Sequence, residues 1–395
     1  MKMQININPR LRFHLSPLVW VLLALIAIAF VVAMIRFGVG IGAISNLSNS
    51  YPWGFWVSFD LFTGIAISSG AFVLTSLVYI LELEEFRPLV RPTLLTGFLG
   101  YVMEVIALLV DLGHPERIWH YFIYQNWTSF LLFIGLYVMI YSAIMLVELA
   151  PAILERFHLD KLSDGIKRFM KPIVIVGATI SVLHQGSLGA LLLIQPAKLF
   201  PLWWTPLLPV LFFISAVAIA LAMTIFESSL SSLYFHRGLE THLLEKLAAA
   251  IPFVLGLYLI VRFAQLIIAG DAQFFFNSGV MSNLFWAEIL IGSILPLIMF
   301  SIRKIRQSPN GLLIGSIILL LGMILDRFDV SWLAVKHSDP ITYIPTFMAS
   351  NVHYFPSLPE VAISFGIFSA GILAFGLAIK YLPIFEDGHH PSASH

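Results

Sequence analysis

The chain is a succession of ten long apolar runs separated by shorter polar breaks. The runs cover about residues 17–37, 54–80, 90–112, 129–149, 171–193, 206–228, 247–268, 283–302, 311–329 and 359–382. Each is near the ~20 residues a helix needs to cross ~30 Å of hydrocarbon. Membrane-spanning strands would show shorter units of alternating polarity, so the runs predict helices. The pattern is that of an all-α, polytopic membrane protein with about ten transmembrane helices. Arg91-Pro92 and Lys171-Pro172 read as starts of the third and fifth helices, because proline at the first helical position gives up an N–H that has no partner there. A segment 1–16 precedes the membrane domain at 17–382, and the tail 383–395, ending Gly-His-His-Pro-Ser-Ala-Ser-His, is expected to be disordered.

Composition narrows the class. Hydrophobic residues make up 59% of the 395 and charged residues only 11%, against roughly a quarter charged in soluble domains. The 33 Phe and 9 Trp suit lipid-facing surfaces and interfacial belts. Net charge is zero, so there is no nucleic-acid footprint. There is no cysteine, which excludes disulfides and any iron–sulfur cluster ligated by this chain. Arg10 and Arg12 precede a first run longer than a signal-peptide core, with no small-residue cleavage site after it, so that run is read as a retained helix.

The basic residues divide unevenly between the two sides. Sixteen Lys and Arg fall on the side of the termini and six on the other, with its half of the membrane. The positive-inside rule then predicts both termini in the cytoplasm. The outer connections, at 38–53, 112–128, 194–205, 269–282 and 330–358, are the longer ones and are rich in Trp, Tyr, Phe and Pro. The last of them is expected to be an ordered cap or docking surface.

Polar residues within the runs carry the chemistry. Positions 101, 104, 108 and 111 are spaced three, four and three apart, so Tyr101, Glu104 and Asp111 share one helical face. A carboxyl group in hydrocarbon is costly unless paired, protonated or wetted, so two on one stripe point to a polar cavity. With the orientation above, Asp60, Glu104, Asp111 and His184 lie in the outer half, as do Arg262, Glu288, Asp326 and Arg327 of a second polar network. On the inner side, Arg91, Glu148 and Glu227 are placed close to helix ends, either as anchors or as a proton route toward His184. His184 is the one histidine of 12 well inside a run, whereas transmembrane haem b takes two imidazoles from facing helices; no haem is expected.

Several motifs together resemble the NrfD/PsrC family of membrane subunits of periplasm-facing respiratory complexes. They are Tyr51-Pro52-Trp53-Gly54 leading into Ser58-Phe59-Asp60-Leu61, Leu89-Val90-Arg91-Pro92, and the turn from Asp111 through His114-Pro115-Glu116-Arg117 to Trp119. Within the family the chain is most similar to the HybB-type subunit of nickel–iron hydrogenases. That closer likeness is carried by His184-Gln185-Gly186-Ser187, Phe226-Glu227-Ser228-Ser229, Val261-Arg262-Phe263 and Glu148-Leu149-Ala150-Pro151. The resemblance implies two four-helix bundles, about 54–193 and 206–329, with flanking helices. It implies menaquinone or ubiquinone as substrate near the periplasmic face of a bacterial or archaeal cytoplasmic membrane. It also implies a ferredoxin-like iron–sulfur partner and a periplasmic catalytic subunit of hydrogenase, cytochrome or molybdoenzyme type. Asp60, Arg91, Tyr101, His184 and Glu227 match family positions implicated in quinone or proton chemistry. A glutamate that HybB-type subunits carry early in the fourth span is replaced here by Phe130-Leu-Leu-Phe-Ile134, and Glu104 is the candidate substitute.

The residues by themselves reach a compatible reading. Quinone reduction consumes two electrons and two protons, so a site needs donors to the carbonyls and acids to carry protons. Asp60, Glu104 and His184 are the candidate catalytic groups, and Tyr101, Asp111, His114 and Arg117 the candidate quinone contacts. The competing reading is a secondary transporter, with a buried polar site between two helical bundles.

Overall fold

A computed structural model describes residues 17–48, 53–194, 199–235, 238–336 and 354–385. The segment 1–16, the tail beyond Phe385 and most of the expected cap at 330–358 lie outside these residues. All ten expected spans are helices: α1 (Pro17–Val39), α2 (Val57–Tyr79), α3 (Glu84–Asp111), α4 (Phe130–Arg156), α5 (Met170–Leu193), α6 (Leu208–Phe235), α7 (Thr241–Ala269), α8 (Val280–Ser301), α9 (Pro309–Leu333) and α10 (Leu358–Tyr381).

Four of them run about two turns further than the apolar pattern. α3 and α7 start early, and α4 and α6 end late, always on the side of the termini. Helix formation does not stop where the hydrocarbon does, and the extensions are built from strong helix formers such as Glu, Leu, Lys and Arg. The start read at Arg91-Pro92 is corrected accordingly. The α-helical part of α3 opens at Arg87-Pro88, leaving Pro92 inside; two identical dipeptides competed for one helix start, and only the first has no α-helical turn before it, just the short 3-10 turn Glu84–Phe86. Pro172, by contrast, sits in the first turn of α5 as expected.

Helices α2 to α5 close into one ring, each packed on the next and α5 on α2, and α6 to α9 close into a second. The rings join where α6 lies along α2 and α5. Outside them α1 and α10 pack on each other, and α10 also rests on α3. The pair is antiparallel, since Ser357, at the start of α10, donates to the carbonyl of Ile44, just past α1, at 2.5 Å. Lipid tails give helices little hydrophobic reason to associate, so close contact of small residues takes over that role. Gly292 of α8 and Gly322 of α9 touch backbone to backbone: a Cβ built on Gly322 would stand 2.1 Å from the Gly292 Cα.

Three helices contain π turns: Val57–Thr63 in α2, Leu290–Ile294 in α8 and Asp329–Leu333 in α9. Such a turn adds a residue to the helical repeat and re-aims the side chains beyond it, and it is found disproportionately at functional sites. Each one here contains or adjoins a buried acid: Asp60, Glu288 or Asp329.

Candidate functional site

Call the face holding the start of α1 and the end of α10 the terminal face, and its opposite the far face. Near the far face, α2 and α3 part to leave a small cleft, lined by Trp56, Val57, Asp60, Leu61, Glu104, Ala107, Leu108 and Asp111. Three acids expected from the sequence thus meet in one cavity. Asp60 comes from the π turn of α2, and its Oδ2 accepts a 2.6 Å hydrogen bond from Ser364 of α10. Glu104 faces it from α3, 2% exposed, with neither carboxyl oxygen hydrogen-bonded. Asp111 ends α3, its Oδ1 buried and without a partner. The carbonyls on either side of it are held by Arg36 of α1: Nε donates to Val110 at 2.6 Å and Nη2 donates to Leu112. Those carbonyls end a helix and lack intrahelical donors, so a buried cation there caps α3 and adds positive charge beside Asp111.

The shared stripe splits at its first member. Tyr101 points away from the cleft toward α4 and α5, where its hydroxyl lies 2.9 Å from His184 Nδ1. The Tyr141 ring packs edge-on against it at 5.0 Å. His184 is completely buried and its Nε2 has no partner, so Tyr101 and His184 form a pair next to the cleft rather than part of its wall. Two candidate quinone contacts also fall outside. His114 and Arg117 sit on the turn beyond α3 with side chains 68% and 60% exposed, each paired with Glu116. That carboxyl is held below the usual glutamate range, first by its own backbone N–H and then by His114.

Toward the terminal face the inner candidates separate. Arg91 is an anchor in geometry: it makes a 3.0 Å ion pair with Glu155 of α4 and donates to the Pro383 carbonyl at 3.0 Å. Glu148 and Glu227 are not at helix ends, because α4 and α6 continue past them. Each is 6% exposed. Glu148 packs where Gly177 of α5 leaves room, a Cβ there standing 2.8 Å from its Oε1. Glu227, with neither oxygen hydrogen-bonded, lines a second small pocket with Pro92, Ser228, Ser231 and Glu240.

In the second ring, Arg262, Glu288, Asp326 and Arg327 come together as a buried network with Tyr258, Trp203 and Asp329. Sequence reasoning missed Ser364 and Glu360 of α10. Glu360 is fully buried, accepts from the Tyr354 hydroxyl at 2.5 Å and fixes the 44–48 segment through the Asn46 N–H at 3.1 Å. Its signal was present: Ser357-Leu-Pro-Glu360 is a capping box, observed with both reciprocal bonds. Ser364 has no such signal, since a lone serine in an apolar run reveals nothing of what it faces.

Comparison with known proteins places this geometry in a wider group. A family model described as "Polysulphide reductase, NrfD" matches residues 43–332. A protein of Nitratidesulfovibrio vulgaris is 33% identical over 377 residues, covering 93% of each chain. The probable Ni/Fe-hydrogenase 2 b-type cytochrome subunit of Escherichia coli is 29% identical over 365 residues, 91% of this chain and 90% of that one. The integral membrane subunit of a menaquinone reductase, also from N. vulgaris, is 28% identical over 373 residues, 88% and 86% of the two chains.

Proposed function

The chain belongs to the polysulphide reductase NrfD family, and on that premise we propose that it is the quinone-reactive membrane subunit of a multisubunit respiratory oxidoreductase. The observation that carries the proposal is the convergence of Asp60, Glu104 and Asp111 on one cleft between α2 and α3. Relatives named as subunits of a hydrogenase and a menaquinone reductase support it.

Reducing a quinone to a quinol adds two electrons and two protons to its carbonyl oxygens. The electrons come from a partner subunit, because a chain without cysteine ligates no iron–sulfur cluster. The protons are the business of the cleft. Glu104, with no bond to break first, gives a proton to a carbonyl placed between α2 and α3. Asp60 serves from the other wall, its Oδ2 held by Ser364 so that Oδ1 is the free edge. Tyr101, one turn before Glu104 on α3, and His184 of α5 form a hydrogen-bonded pair behind Glu104, placed to return protons to it. Glu148 and Glu227, buried toward the terminal face, extend the reading to proton movement from that side; Arg91 acts there through the pairing that fixes α3 to α4. The exposed aromatic side chains of the 112–129 connection, Trp119, Phe122, Tyr124 and Trp127, offer the partner an apolar surface close to the cleft.

The name of one relative includes "b-type cytochrome". A bis-histidine haem needs a second imidazole facing His184. Among the described residues no other histidine is buried, and Nδ1 of His184 is already paired with Tyr101. These residues do not fit such a haem.

The test is quinone binding and turnover by the assembled complex with Asp60→Asn and Glu104→Gln. Losing a positioned acid costs roughly 10²–10⁴ in rate, so each variant should lose at least tenfold in quinone turnover while remaining folded. Wild-type affinity and turnover in both would remove the cleft from the chemistry. Solute uptake by liposomes holding the chain without a redox partner would favour transport instead.

A further inference from the structure

Quinone chemistry in the cleft makes no use of the charged network of the second ring, where buried charge is densest. Arg262 of α7, Glu288 of α8, and Asp326, Arg327 and Asp329 of α9 are each at most 4% exposed. Part of their hydrogen-bonding capacity is met, while Nε and Nη2 of Arg262 and Nε of Arg327 have no hydrogen-bond partner. Arg327 pairs with Asp326 and donates to the Ser215 hydroxyl of α6 at 2.6 Å. The Tyr258 hydroxyl of α7 donates to Asp326 Oδ1 at 3.2 Å. The Trp203 indole donates to Glu288 Oε2 at 2.6 Å, and Arg262 Nη2 lies 3.7 Å from Glu288 Oε1.

Among the acids of the cluster, Asp329 is the one with neither oxygen hydrogen-bonded, and it is completely buried. Its neighbour is Glu288, whose Oε1 likewise accepts no hydrogen bond. An ionised carboxylate only accepts. Two of them side by side away from water repel, and one proton between them supplies the donor both lack. The charge count agrees. Three carboxyl groups meet two guanidiniums that stay protonated, so with every acid ionised the cluster would keep one uncompensated negative charge in the membrane interior, at a cost of several kcal/mol. Among the described residues, the elements packed around it add no other ionisable group than Tyr258: α6 contributes Ser215, and α2 contributes Ser58, whose hydroxyl is 2.7 Å from that of Ser331.

We infer that the second ring is a proton-binding site, holding one exchangeable proton shared by Glu288 and Asp329 within the frame of Arg262, Asp326 and Arg327. Ser58 and Ser331 connect it to the first ring. Both belong to π turns, Ser58 to the one that carries Asp60 and Ser331 to the one that opens at Asp329.

The inference is independent of quinone, and so is its test. Infrared spectroscopy of the purified full chain reads protonated carboxyl groups through their C=O stretch, which shifts in heavy water. Asp329→Asn and Glu288→Gln should each lose one carboxyl equivalent from the wild-type band. The double variant should lose no more than either single one, because the pair shares one proton. If one single variant fails to fold, the other carries the measurement. An unchanged band in the folded single variants, or a loss of two equivalents in the double, would overturn the shared proton. Either result would leave the cleft's role untouched.

Discussion

At the scale of single residues, the buried tyrosines separate a hydroxyl that is used from one that is not. Tyr101 and Tyr141 pack ring on ring, both 1% exposed. The Tyr101 hydroxyl meets His184, whereas the Tyr141 hydroxyl has no hydrogen-bond partner. Removing one partner of a buried hydrogen bond strands the other, whereas removing an unpaired hydroxyl strands nothing. Tyr101→Phe should therefore destabilise the protein by about 1–2 kcal/mol, and Tyr141→Phe should be neutral or stabilising, as thermal unfolding in detergent would show. The identity of such residues was legible in the sequence, because an ionisable group costs too much in a membrane to be incidental. Asp60, Glu104, Asp111 and His184 all stand out on that ground. Their grouping was less legible. Tyr101 and Glu104 share a helical stripe, yet a difference of some 60° around α3 sends one to His184 and the other to Asp60. Ser364 was invisible, since a serine in an apolar run can satisfy itself on its own helix.

At the scale of helices, hydropathy located all ten elements and misjudged their ends where strong helix formers carry them past the apolar run. It was also blind to the π turns, because a single added residue leaves the mean hydropathy of a run unchanged while rotating every later side chain. Close packing was equally hidden, although its consequences are sharp. The Gly292–Gly322 contact joins α8 to α9 one turn from Glu288 on one side and from Asp326 on the other. An alanine methyl at 322 would meet the Gly292 backbone at 2.1 Å, which no side-chain rotation relieves. Gly322→Ala should thus cost about 1–3 kcal/mol by forcing the helices apart and should loosen the charged network beside it. Gly256→Ala, on α7, is a fitting control, as its Cβ would meet nothing within 4 Å. Equal thermal stabilities for the two variants would show that the α8–α9 contact is not tight.

At the scale of the whole molecule, what decides the function is which compartment the cleft faces. The start of α1 and the end of α10 lie on one face, and the acids of the cleft and of the charged network in the second ring lie in the half of the bundle nearest the other. The excess of Lys and Arg on the terminal face, sixteen against six, should keep that face in the cytoplasm and turn the cleft and the aromatic 112–129 connection outward. The absence of cysteine from the chain makes this directly testable, because any introduced thiol is the only one present. Glu116, on the turn after α3, and Lys161, between α4 and α5, are both exposed and lie on opposite faces. In intact cells a membrane-impermeant maleimide should label Glu116→Cys and leave Lys161→Cys unlabelled until the membrane is broken. The reverse pattern would put the cleft on the cytoplasmic side, where a periplasmic electron donor has no access to it. In that case a quinone in the cleft would have to draw its electrons from a cytoplasmic partner, and the aromatic connection would lose its role as the docking face.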